Sequence, residues 1–143
     1  MTKKILVVLL AISVLGCAVF GWLWNRQRND ASDLERACAF AAGNANARFW
    51  DYLCEGNEYD YRYGVAELTA FYDAYALLCS ETEGSSDTNC LHTNQLLGVL
   101  MDYPALQEEQ VKMLVELTGL LKEDPRDGNA YILVFDLYNQ LAR

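Results

Sequence analysis

Twenty consecutive residues without a charge, Ile5 to Trp24 (ILVVLLAISVLGCAVFGWLW), constrain this chain more than any other feature. At about 1.5 Å per residue, a helix of that length covers roughly 30 Å, the thickness of a bilayer's hydrocarbon core. Trp22 and Trp24 sit at its far end, where indole rings favour the headgroup layer. Lys3 and Lys4 precede the run, and Arg26 and Arg28 follow it. The expectation is an N-terminal transmembrane helix, a signal-anchor within residues 1–29, that holds the chain in the cell membrane through residues 5–24. Two other readings compete. A cleaved secretory signal would want a small-x-small site after the apolar run, and no convincing one follows. A lipoprotein signal would use Val14-Leu15-Gly16-Cys17 and make Cys17 a lipidation site, but Ala18 to Trp24 stays apolar where such proteins turn polar. All three place the remainder on a membrane or beyond it.

Charge then separates the two parts of the chain. The 4 bases flanking the run leave 7 of the 11 basic residues against all 20 acidic ones, a net charge of −13 for residues 30–143. Such a surface repels phosphate backbones and anionic headgroups, so nucleic acid is not an expected partner. A basic or neutral protein surface is. The positive-inside bias across the run is slight, and the acidic domain with its cysteines points to an extracytoplasmic location.

Residues 30–143 read as an acidic, all-α bundle of about five antiparallel helices. Ser32 and Glu35 match a capping box. An apolar stripe follows at Leu34, Cys38, Ala41, Ala45, Phe49 and Tyr52, and Gly56-Asn57 closes the helix. A polar, tyrosine-rich connection then leads to a second helix from about Gly64 to Ser80, striped by Val65, Leu68, Tyr72, Tyr75 and Cys79. Residues 81–89 form a polar loop. The third helix carries Leu96, Leu97, Leu100 and Met101 and stops before Pro104. The fourth starts at that proline and buries Leu106, Met113, Leu114, Leu117, Leu120 and Leu121. Asp124 caps the fifth, with Pro125 at its first position and Tyr131, Val134, Phe135, Tyr138 and Leu141 on its face. No segment reads as a strand.

The C-terminal part, about residues 91–143, resembles the end of a tetratricopeptide-repeat array. Asp124-Pro125 followed by Ala130-Tyr131, Val134 and Tyr138 is similar to that family's passage into a new repeat, and Leu97-Gly98 is similar to its first-helix pair. The spacing from Leu97-Gly98 to Pro125 exceeds the family's period by about three residues. The resemblance implies a short helical scaffold with a capping helix and a groove for a partner peptide.

Cys38 and Cys54 would stand about 24 Å apart on one straight helix and cannot bond. Folding the first two helices together brings Cys79 near Cys38, and Cys90 can reach the same end. One disulfide is expected, Cys38–Cys79 or Cys79–Cys90, with Cys54 unpaired; a break at Gly43 would reopen 38–54. Cys38, Cys79, Cys90 and His92 have the right types for zinc but lack paired-ligand spacing, so no metal and no cofactor is expected. His92 lacks an orienting third group for Cys–His chemistry.

Acidic and aromatic residues crowd one stretch. Asp51, Glu55, Glu58 and Asp60 do not follow a calcium-loop pattern, and a carboxylate pair alone does not define glycoside hydrolysis. Phe49, Trp50, Tyr52, Tyr59, Tyr61 and Tyr63 fall within fifteen residues. Exposed Tyr and Trp favour protein interfaces and sugar platforms. The expected contact surface is Trp50, Tyr59, Tyr61 and Tyr63, steered by the adjacent acids. The functional expectation is a membrane-tethered, non-enzymatic interaction or scaffold module. The alternative is a cell-envelope glycan binder or cell-wall enzyme using the same patch with Asp51 or Glu55.

Overall fold

The structure, a computed structural model, describes the backbone of residues 2–82, 88–102 and 105–142, without the side chains of residues 2–16, 18, 24, 27, 81 and 82. Five helices follow in order: α1 (Thr2–Glu55), α2 (Glu58–Thr82), α3 (Thr88–Met101), α4 (Glu108–Glu123) and α5 (Gly128–Leu141). No strand occurs among the described residues. Two packing units divide at Asp33/Leu34.

In the first unit, Met1–Asp33, Arg26 pairs with Asp30 one turn on (4.0 Å) and lies over the Trp22 ring at 5.8 Å. Among the described residues no helix is long and apolar enough to cross a membrane. The expected span, residues 5–24, lies largely outside the residues whose side chains are described. Ser32 and Glu35 sit within α1, so Ser32 is not an N-cap.

The second unit, Leu34–Arg143, is the helical bundle. The predicted α1 stripe is its buried face: Cys38, Ala41, Ala45 and Phe49 are buried, joined by Ala42. Gly43, Asn44 and Asn46 do not break the helix, because both asparagines are used sideways. Asn44 Nδ2 donates to Glu67 Oε2 of α2 (3.3 Å), and Asn46 Nδ2 donates to the Val115 carbonyl of α4 (2.6 Å) and to Thr118 Oγ1 (3.2 Å). Glycine ends α1 as expected. Gly56 adopts φ +69°, which a side chain disfavours, and its N–H donates back to the Tyr52 carbonyl (2.8 Å).

The tyrosine-rich stretch is a helix, not a connection. Asn57 starts α2 by accepting the Tyr59 N–H on its side chain (3.0 Å) and the Asp60 N–H on its carbonyl (3.0 Å). Gly64 then lies against the Phe49 ring, where a Cβ would fall 2.6 Å from Cε1, so the missing side chain sets how closely α1 and α2 approach. Packing continues from α2 to α3, from α3 to α5 and from α5 to α4, while α4 returns to α1 through Asn46. Leu68, Phe71, Leu78, Leu96, Leu100, Leu114, Leu117, Leu121 and Leu137 fill the middle without exposure. Burial of one such side chain contributes about 2 kcal/mol.

Two helix starts differ from expectation. α4 begins at Glu108 rather than at Pro104, because Gln107 is extended (φ −77°, ψ 155°) and its N–H donates to the Gln110 side chain (2.9 Å). Pro104 itself lies outside the described residues. α5 begins at Gly128 rather than at Pro125. Asp124 and Pro125 instead form a turn closed by the Asp127 N–H on the Asp124 carbonyl (3.0 Å), and Asp127 is the cap, accepting from Asn129 (2.7 Å) and Ala130 (3.3 Å). Met101 and Phe135, expected on buried faces, are exposed.

Candidate functional site

The α1–α2 corner gathers most of the residues singled out in the sequence, with different roles from those expected. Around a helix each residue advances about 100°, so Tyr59 and Tyr63 share a face while Tyr61 points to the other side. Accordingly Tyr59 and Tyr63 are exposed, with ring centroids 4.6 Å apart, and Tyr61 is buried at 3 % exposure. Tyr61 packs beside Phe49 and Tyr52, and its hydroxyl donates to the Leu100 carbonyl (3.1 Å). It is a core residue tying α2 to α3, not a contact residue. The Tyr59 phenol is held above its ordinary range, chiefly by its hydrogen bond with Tyr63.

Trp50 is exposed but stands apart. It lies about 200° around α1 from Arg48, on the opposite side of the helix. The four expected contact residues thus separate into a tyrosine pair, an independent tryptophan and a core tyrosine.

Arg48 organises the corner. Its Nη1 lies 3.0 Å from Oδ1 of Asp60 and 3.9 Å from Asp51, and its guanidinium sits 5.6 Å over the Tyr63 ring. Asp60 is buried, so it is not one of the exposed acids that could steer a partner. Beside this network an open groove of about 390 Å³ is lined by Asn44, Ala47, Arg48, Asp51, Tyr63 and Glu67. Two carboxylates, one guanidinium already engaged by acids, one amide and one aromatic face make it suited to a cationic side chain, with hydrogen bonding from Asn44. Arg48 carried a usable signal in the sequence: it is the only base between Arg36 and Arg62, in a stretch rich in acids. Asn44 and Glu67 carried none.

Of the cysteines in the bundle, Cys38 and Cys79 are buried, Cys90 is half-buried and Cys54 is exposed. All are thiols in this structure, so the expected disulfide is not formed in it. Cys17 is exposed. Burial, then the neighbouring Cys79, pushes the Cys38 thiol up to about 11. Burial, followed by its hydrogen bond with Tyr75, raises the Tyr131 phenol. Among the described residues no three His, Cys, Asp or Glu side chains converge to hold a metal ion. His92 meets Gln95 (3.3 Å) and the edge of Phe135 (5.0 Å between centroids).

Fold and corner together describe a small all-helical bundle with a polar, aromatic-edged groove. No family model matches the chain, and neither a curated protein nor a solved structure matches it significantly.

Proposed function

We propose that this protein is a membrane-tethered interaction module whose α1–α2 corner docks a basic segment of a partner protein outside the cytoplasm. The observation that carries the reading is the groove of about 390 Å³ edged by the exposed Tyr59–Tyr63 pair, with Asp51 and Glu67 on its walls. Paired tyrosines offer a broad amphipathic contact at small entropic cost, and the acids select a basic approach. The anchor is residues 5–24, and residues 91–143 complete the scaffold in the manner of a tetratricopeptide-like end.

Site-specific photo-crosslinking in intact cells tests this, with the photoreactive residue at position 63 or, as a control, at exposed Glu116 of α4. One protein captured from position 63 and not from 116, in a salt-sensitive manner, supports the reading. Equal capture from both positions, or retention on insoluble cell wall in its place, overturns it and favours the glycan reading. Alkaline carbonate extraction of membranes tests the anchor: the chain stays in the pellet if residues 5–24 span, and its release sinks that part.

A further inference from the structure

We propose that Cys38 and Cys79 are a disulfide site that fastens α1 to α2 at the end of the hairpin remote from Gly56. Both side chains are buried, at 0 % and 4 % exposure, on the facing stripes of two helices joined by the two-residue link Gly56–Asn57. Cys38 stands seventeen residues before the end of α1, and Cys79 twenty-one after the start of α2. At about 1.5 Å per residue they lie roughly 26 Å and 32 Å from the turn.

The remaining axial offset closes from both sides. In a helix each Cα–Cβ bond leans toward the N-terminus. Cys38, nearer the turn, therefore leans away from it, and Cys79, farther out, leans back toward it. The two thiols already lie within each other's electrostatic reach. The asparagine bridge to Glu67 and the Phe49–Gly64 contact fix the register between these helices, so the two cysteines occupy the same end of the hairpin.

Chemically, two S–H bonds are lost and one S–S bond forms. The two electrons and two protons leave on a low-molecular-weight disulfide, which is reduced to two thiols. An oxidising compartment outside the cytoplasm supplies such an acceptor. The bond closes a long loop that includes the whole α1–α2 corner, so it restricts the unfolded chain and holds the groove's two walls in register. The oxidant rests on the extracytoplasmic location proposed above, whereas the bond itself is independent of the groove's being a docking surface, which photo-crosslinking at position 63 tests separately.

The experiment uses the full chain in detergent micelles, equilibrated with oxidised glutathione, quenched by alkylation and digested without reduction. The expected product is one linked peptide pair joining Cys38 to Cys79, undiminished in Cys90→Ser and absent in Cys38→Ser. The oxidised chain should melt roughly 10 °C above the reduced one. Recovery of Cys38 and Cys79 as alkylated thiols, or a Cys79–Cys90 link in the unmodified chain, overturns the proposal.

Discussion

Arg48 of α1 and Asp60 of α2 form a 3.0 Å ion pair in which the carboxylate is buried and the guanidinium is half-exposed. Twelve residues separate them, and the pair spans the Gly56–Asn57 link. Removing the arginine strands a buried charge, whereas removing both partners leaves nothing uncompensated. Arg48→Ala should therefore lower stability by about 2 kcal/mol, discounted for the exposure of the arginine. Arg48→Ala/Asp60→Leu should recover part of that loss. Urea unfolding of the three chains decides it; equal midpoints for the single variant and the unmodified protein would mean that water compensates Asp60.

Gly64 and Gly98 are both interior helix glycines, yet alanine should act on them in opposite directions. A Cβ on Gly64 meets the Phe49 ring at 2.6 Å, and that ring is buried without exposure. The ring has nowhere to go, so α1 and α2 must separate. Gly64→Ala should cost about 2 kcal/mol despite its better helix propensity. A Cβ on Gly98 meets nothing within 4 Å. Gly98→Ala should stabilise by about 0.5–1 kcal/mol through propensity alone. Thermal melts read both signs, and a stabilised Gly64→Ala would refute the close approach.

What could be read from the sequence follows from the range of the interactions involved. The stripe from Cys38 to Phe49 and that from Val65 to Cys79 are repetitions of the helical period, so local pattern suffices. Gly56 was legible because only a residue tolerant of positive φ ends a helix in this way. The tyrosines at 59, 61 and 63 alternate, which resembles a loop or strand pattern. The bonds that Asn57 accepts, from the Tyr59 N–H on its side chain and the Asp60 N–H on its carbonyl, show that a helix has already begun. Once helical, alternation itself assigns Tyr61 to the core and its neighbours to the surface. Arg48–Asp60 and Asn46–Val115 join separate helices through side-chain reach, so no local window contains them.

The start of α5 is a competition between two aspartates three residues apart. Asp127 accepts two backbone N–H groups of the first helical turn, while Asp124 accepts the Arg126 N–H (2.9 Å) inside the preceding turn. Asp127→Ala should cost about 1 kcal/mol, in the range of a lost N-cap. Asp124→Ala should cost less, because the Asp124 carbonyl still closes the turn to Asp127. Tyr131 depends on this geometry, since its hydroxyl donates to the Pro125 carbonyl (2.6 Å). Hydrogen exchange of the α5 amides should accelerate in the Asp127 variant and hardly change in the other. The reverse order would make Asp124 the cap.

Cys38 makes a prediction for alkaline solution. Burial, then Cys79, lifts its thiol from an ordinary 9.0 to about 11, so the folded chain holds this proton more tightly than the unfolded chain does. Below about pH 9 both states are protonated and the full stability is present. As pH rises from 9 to 11 the unfolded thiol ionises first, and the associated stability, on the order of 2 kcal/mol, is lost. The buried Tyr131 phenol, raised as well, adds a loss in the same direction. The difference between the reduced protein and Cys38→Ala isolates the thiol. Urea midpoints at pH 8.5 and 10.5 should fall more steeply in the unmodified protein than in the variant. Parallel falls would mean that Cys38 meets water in the folded state and that the α1–α2 end is open there.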